Sequence, residues 1–142
     1  MRVVSGAAVR MVTLGAQALS AGRLEEAEGW FKQALMHDGN VAAGWHGLGD
    51  IAAAVGRREE ALQLYRQAVA ADAQDVDGEV KLAKHLLEME EVDEALVRLN
   101  ALCAPGRRDL GRWTAGVWID LGNLLRWVGR TAEAVEAYRR GV

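Results

Sequence analysis

The sequence predicts an all-α fold, an α-solenoid of about four helix-turn-helix repeats. Three observations predict it. The same residue types recur every 34 residues, each period contains two runs with apolar residues at helical spacing, and short turns separate the runs. A fixed period of this length is typical of stacked helical hairpins rather than of a single globule. With 142 residues, about half of them apolar, the chain is long enough for one compact domain.

The repeat boundaries follow from the period. We place the repeats at approximately residues 8–41, 42–75, 76–109 and 115–142, the last one truncated, within a single domain covering residues 1–142. About five extra residues separate the third repeat from the fourth.

Each repeat combines small and large side chains at matching positions of its two predicted helices. Small residues let antiparallel helices approach closely, and an aromatic or Leu residue fills the gap beside them. In chain order these positions hold Met11, Leu14, Gly15, Ala27 and Phe31, then Trp45, Leu48, Gly49, Ala61 and Tyr65, then Glu79, Leu82, Ala83, Ala95 and Leu99, and finally Trp118, Leu121, Gly122, Ala134 and Tyr138.

The turn inside each repeat also recurs. Gly22, Gly56 and Gly129 interrupt the helical pattern, and acidic residues follow each of them, where a helix N-terminus favours negative charge. The third repeat has Glu90 at this position and lacks the Trp of the second and fourth repeats. We therefore expect the third repeat to be the least regular.

The motif Trp45-x2-Leu48-Gly49 with Ala61-x3-Tyr65, and its counterpart from Trp118 to Tyr138, resembles the tetratricopeptide repeat. The resemblance runs from about residue 8 to the end of the chain. It implies a right-handed α-solenoid and a role in protein–protein interaction. The chain departs from the family pattern because it lacks the usual Tyr after the Gly and the usual closing Pro.

The first helices of such repeats line a concave groove, and the stripe opposite their buried face is the candidate binding surface. A partner helix, or an extended peptide with an apolar segment and mixed charge, suits this stripe. Asp50 would repel the chaperone-tail carboxylate that some members of the family bind. Trp127 is either a partner anchor or packed on an adjacent helix. The candidate partner-binding residues are Val12, His46, Asp50, Asp77, Lys84, Asn123 and Arg126.

Two functions remain open. The chain is a scaffold or adaptor that binds a protein or peptide partner, or it is the N-terminal regulatory or substrate-recruiting section of a longer enzyme. The predicted last helix carries Val135 and Val142 on the side that would pack on a following repeat. This open end favours either a longer protein or self-association with another chain.

No catalytic residue, metal site or cofactor is expected. The three His residues lie on separate segments, and no pair has the spacing that binds one metal ion. Cys103, the only thiol, occupies a position that holds Leu or Val in the other repeats, so it is expected to be a core residue. No Gly-rich phosphate loop follows a strand.

Charge and hydropathy indicate a cytoplasmic protein that binds neither nucleic acid nor membrane. The net charge is −3, with 17 basic and 20 acidic residues, and no dense basic stripe is present. No apolar stretch reaches the ~20 residues of a membrane span. Residues 3–9 weakly resemble a signal peptide, but Arg10 interrupts them. The extra segment from Pro105 to Arg112 is expected to be a solvated loop or a basic contact for an acidic partner.

Overall fold

The computed structural model describes residues 5–142. In this part of the chain the secondary structure is helical throughout, without strands, which confirms the predicted all-α repeat fold. The α-helices are α1 (Gly6–Ser20), α2 (Leu24–His37), α3 (Ala42–Ala54), α4 (Arg58–Ala71), α5 (Val76–Glu88), α6 (Val92–Leu102), α7 (Ala115–Trp127) and α8 (Thr131–Arg140). A short 3-10 helix, Arg107–Asp109, lies between α6 and α7.

The helices form four antiparallel pairs: α1 with α2, α3 with α4, α5 with α6, and α7 with α8. The chain divides into two compact units. The first unit ends at Ala73 and contains α1 to α4, and the second unit, Gln74–Val142, contains α5 to α8. In the first unit α2 also packs on α3, and in the second unit α5 also contacts α7.

The turns between paired helices require a left-handed backbone. Gly22, Gly56 and Gly129 adopt φ values of 78°, 84° and 85°, which cost a glycine little because it has no Cβ. Glu90, at the matching position of the third repeat, adopts φ 62°. The irregularity predicted for the third repeat therefore includes a strained turn, since a side chain at this φ crowds the backbone.

Close contact between a glycine and an aromatic ring holds three of the helix pairs together. If Gly49 carried a Cβ atom, that atom would lie 2.7 Å from the Tyr65 ring, which is closer than two carbon atoms can pack. The ring therefore needs a glycine at this position. Gly15 faces Phe31 and Gly122 faces Tyr138 in the same way, at 2.8 and 2.7 Å. In the third repeat the matching residues are Ala83 and Leu99, both fully buried. A larger residue on one helix thus accompanies a smaller one on the other.

The first unit also closes tightly between its two repeats. Phe31 lies against Gly47 as well, where a Cβ would be 2.5 Å from its ring, and Leu35 lies against Gly44 at 3.0 Å. These contacts place α2 directly on α3.

In the part of the chain that the structure describes, no helix is both long and apolar enough to span a membrane.

Candidate partner-binding surfaces

The candidate residues of the first unit mostly contact their own unit. Val12 on α1 is half-buried and packs against both apolar clusters of this unit. His46 on α3 is buried, with 8% of its surface exposed, so it offers a partner almost no area. Asp50 is half-buried and accepts a hydrogen bond of 2.8 Å from the Tyr65 hydroxyl. This face therefore presents less free surface than the sequence predicts.

The candidate residues of the second unit are more accessible. Lys84 on α5 and both Asn123 and Arg126 on α7 are exposed, and Asp77 is half-buried. Because α5 contacts α7, these side chains lie on neighbouring helices.

Two exposed apolar residues of α7 lie beside the candidate residues, and one of them, Trp127, is the residue for which the sequence left a partner anchor open. Ile119 and Trp127 are 42% and 56% exposed, and they flank Asn123 at four-residue spacing on one side of the helix. Trp127 is thus not packed away on a neighbouring helix. We call the exposed stripe of Ile119, Asn123, Arg126 and Trp127 the α7 face.

Asn123 accepts a hydrogen bond of 2.6 Å from the Tyr138 hydroxyl, as Asp50 does from Tyr65. In each pair the two residues are 15 positions apart in the chain. The sequence repeats this spacing of a Tyr after an Asp or Asn, but the spacing alone does not show that the two side chains meet. Both residues hold the second helix of their own repeat in addition to any role in binding.

Acidic and basic groups of α5 and α7 lie near one another. The pKa of Asp120 is raised, first by burial and then by the negative charge of Asp77, while Lys84 and Lys81 oppose this increase. These groups are close enough to influence one another, so the surface beside the α7 face has mixed charge.

The extra segment between α6 and α7 is exposed at every residue from Pro105 to Arg112 except Arg107, whose side chain is packed. Arg107 donates to the Glu79 carboxylate at 2.8 Å, and their side chains are only 11% and 9% exposed. Glu79 occupies the position that holds Trp in the second and fourth repeats. The segment therefore supplies the cation that neutralises a buried acid of the third repeat.

Stacked rings continue this contact into the fourth repeat. Trp113 stacks on Trp118 with ring centroids 4.0 Å apart. The Arg107 guanidinium lies 5.9 Å from the Trp113 ring, and that of Arg140 lies 5.5 Å from the Trp118 ring. Trp113 also donates to the carbonyl oxygens of Arg107 and Leu110 at 3.3 and 3.2 Å. The segment thus links α5, α7 and α8 through one series of contacts.

The placement of metal-binding residue types and the environment of the single thiol are the two features of interest for catalysis. Among residues 5–142, no group of three or more His, Cys, Asp or Glu side chains could hold a metal ion. Cys103 is half-buried, and burial, together with the nearby charge of Glu133, raises its pKa to about 11. Its thiol is therefore protonated near neutral pH, which makes it a poor nucleophile.

Comparison with known proteins identifies the family. A sequence model described as tetratricopeptide repeat matches residues 18–77 and 52–115, which together cover well over half of the chain. Comparison with curated proteins finds no significant match.

Solved structures share the fold. PilF from Pseudomonas aeruginosa superposes with a TM-score of 0.70 at 24% identity, over 95% of this chain and 60% of that one. YrrB, described as a TPR protein with an unusual peptide-binding site, gives 0.62 at 21% identity, over 94% and 66%. MamA from Desulfovibrio magneticus RS-1 gives 0.63 at 18% identity, over 99% and 76%.

This chain spans only part of the length of each of these proteins, and identities at this level indicate a shared fold and nothing about a shared ligand. The family model and the helix pairs with their Gly-aromatic contacts agree. The chain belongs to the tetratricopeptide repeat family.

Proposed function

We propose that this chain is a scaffold or adaptor that binds a partner peptide or helix, and that the α7 face provides the main contact. The observation that carries the proposal is the exposure of Ile119 and Trp127 on one side of α7. Exposed aromatic residues beside polar groups are typical anchors of protein interfaces.

The spacing and charge of this surface favour a particular kind of partner. Ile119 and Trp127 are eight residues apart, about 12 Å along the helix, which suits two apolar side chains two turns apart on a partner helix, or two on an extended peptide. Lys84 lies near Asp77 and Asp120, and Arg126 is exposed on α7, so charged residues of both signs on the partner would set its orientation. The peptide-binding site for which YrrB is described supports a peptide ligand.

The remaining candidate residues have smaller roles in the proposed contact than Ile119 and Trp127. Asn123 belongs to the α7 face, and Asp77 lies on the neighbouring helix α5. Val12 and Asp50 are half-buried in the first unit, and the proposal omits His46 because it is buried. We propose no catalytic role for this chain. Self-association stays a prediction that light scattering at increasing protein concentration tests.

A paired comparison of variants tests the proposal. Wild-type protein and the double variant Lys84→Ala/Trp127→Ala are immobilised, and the proteins that each retains from the source cell are compared by mass spectrometry. The control is Lys32→Ala/Val97→Ala, which removes an exposed Lys and an exposed apolar residue outside this surface. We expect the control to retain the wild-type partner and the Lys84/Trp127 variant to lose it. Equal retention by all three proteins would contradict the proposal.

A further inference from the structure

The connection between α6 and α7 is much longer than the one between α2 and α3. It runs over residues 103–114, twelve residues, whereas the four residues 38–41 join α2 to α3. Four residues keep successive helix pairs close together, but twelve can extend to about 40 Å. Within the described residues α2 packs on α3, and α6 and α7 are not packed on each other in this way. The chain connection alone therefore does not fix the fourth repeat on the third.

The connection is attached to the beginning of α5 at two points. Gly111 adopts φ 91°, and a Cβ atom there would overlap the Gln74 carbonyl oxygen and lie 2.5 Å from the Val76 side chain. Only a glycine allows this close approach at this backbone angle. About one turn further along α5, the Glu79 carboxylate accepts the hydrogen bond of 2.8 Å from Arg107. A backbone contact and one buried ion pair thus hold the connection against α5.

The connection is attached to α7 and α8 through aromatic rings. Trp113 stacks on Trp118 of α7, and the Arg140 guanidinium of α8 lies 5.5 Å from the Trp118 ring. The Arg107 guanidinium lies 5.9 Å from the Trp113 ring. Arg107 therefore contacts both the buried acid of α5 and the ring that stacks on α7, so it joins the two attachments.

Few side chains make these attachments. Between Pro105 and Arg112 every residue except Arg107 is exposed. The side chains of Glu79 and Arg107 are 9% and 11% exposed, so removing either one leaves the other charge buried without this partner. An attachment that depends on so few contacts opens locally more readily than a packed interface between helices.

The fourth repeat has only a small core of its own. The buried residues of α8 are Ala134 and Ala137, whereas α6 buries Leu99 and Leu102 in addition to an alanine. A single helical hairpin does not bury enough apolar surface to be stable without a neighbour. The order of α7 and α8 therefore depends on their docking on the third repeat.

We propose that residues 105–113 form a strap that docks the fourth repeat on the third, and that the Glu79–Arg107 ion pair is its latch. In the closed state α7 lies beside α5, which places Lys84 on the helix next to Asn123 and Arg126. In the open state α7 and α8 separate from α5 and α6, and the surface that α5 and α7 share is divided. The docking is independent of any partner, whereas its effect on binding rests on the proposed function.

The only thiol of the chain can detect the opening of the strap. Cys103 is half-buried at the end of α6, and burial, together with Glu133 of α8, raises its pKa to about 11. Opening removes both effects, so at pH 8 we expect Trp113→Ala and Arg107→Ala to speed alkylation by iodoacetamide at least about tenfold. Arg112→Ala, which removes an exposed residue of the same segment, should leave the rate unchanged. Equal rates in the wild type and all three variants would overturn the proposal.

Hydrogen exchange measured by mass spectrometry separates undocking from a loss of stability of the whole second unit. Trp113→Ala suits this measurement because it leaves the Glu79–Arg107 pair in place. We expect the amides of α7 and α8 to exchange at least about tenfold faster, those of α5 and α6 to change less, and those of α1 to α4 to stay as in the wild type. Equal acceleration throughout α5 to α8 would show that the segment is not a strap for the fourth repeat.

The strap and the proposed partner contact can fail separately. Lys84→Ala/Trp127→Ala removes side chains of the proposed contact, and neither residue belongs to the strap, so alkylation of Cys103 should proceed at the wild-type rate. Alkylation as fast in this double variant as in Trp113→Ala would mean that residues outside the strap control the docking, and the strap would be refuted.

Discussion

Asp50 and Asn123 occupy the same position of the second and fourth repeats, and each accepts a hydrogen bond from a Tyr of its own repeat. The sequence period places both residues correctly on the first helices. It does not reveal that the Tyr65 and Tyr138 hydroxyls reach them, because this depends on how closely the helices approach. A residue predicted to bind a partner therefore also contributes to stability.

Removing one tyrosine hydroxyl tests this contribution. Tyr65→Phe keeps the ring against Gly49 but leaves Asp50 without this donor, so we expect a loss of about 1 kcal/mol in the free energy of unfolding. Urea titration followed by circular dichroism measures it. Tyr138→Phe should give a similar or smaller loss, since its hydrogen bond is more exposed. No loss in either variant would show that the hydroxyls do not stabilise the repeats.

His46 shows the limit of an argument from helical spacing. Its position on α3 matches the exposed Ile119 of α7, yet His46 is buried and Ile119 is not. The sequence repeat predicts which side of the helix a residue faces. It does not predict how much of that residue is covered by neighbouring side chains.

At the scale of single elements, the turns and the extra segment carry most of the irregularity of the third repeat. The positions of the helices could be predicted because apolar periodicity and Gly22, Gly56 and Gly129 indicate where each begins and ends. The packing of the extra segment could not, because Arg107 and Glu79 are 28 residues apart and neither spacing nor composition pairs them.

Replacing Glu90 by glycine should stabilise the turn before α6. Glu90 holds φ 62°, a conformation that costs a residue with a side chain about 1–2 kcal/mol, partly offset by the greater freedom of an unfolded glycine. Glu90→Gly should therefore raise the free energy of unfolding by about 0.5 to 1 kcal/mol in urea titration. As the reverse control, Gly56→Ala should destabilise. A destabilised Glu90→Gly variant would mean that the Glu side chain contributes more than its backbone strain costs.

The ion pair of the extra segment should be among the most sensitive contacts of the second unit. Arg107→Ala leaves the carboxylate of Glu79 buried without this partner, so we expect a loss of about 3 kcal/mol in the free energy of unfolding. Arg23→Ala, which breaks an exposed pair with Glu26, should cost less than about 1 kcal/mol. Equal losses from the two variants in urea titration would show that the Arg107 contact is not buried in solution.

At the scale of the whole molecule, the same pairing of a small and a large residue recurs in all four repeats, and the third repeat uses different residue types. A small residue on the first helix faces a larger one 16 positions later on the second, and the third repeat uses Ala83 with Leu99 where the first uses Gly15 with Phe31. The sequence predicts this pattern and the family that contains it. It leaves open which surfaces stay exposed: the sequence allows Trp127 to be an anchor or packed on a neighbouring helix, and the structure shows that both Trp127 and Ile119 are exposed.

The most direct test of this rule is a double-mutant cycle that converts the first repeat to the pattern of the third. Gly15→Ala alone places a methyl group into the Phe31 ring and should destabilise by about 1–3 kcal/mol from overpacking, reduced by the helix preference of alanine. Phe31→Leu alone should destabilise by leaving space. We predict that the double variant loses at least about 1 kcal/mol less than the sum of the two single losses, as measured by urea titration. Additive losses would contradict the claim that matched small and large residues hold each pair of helices together.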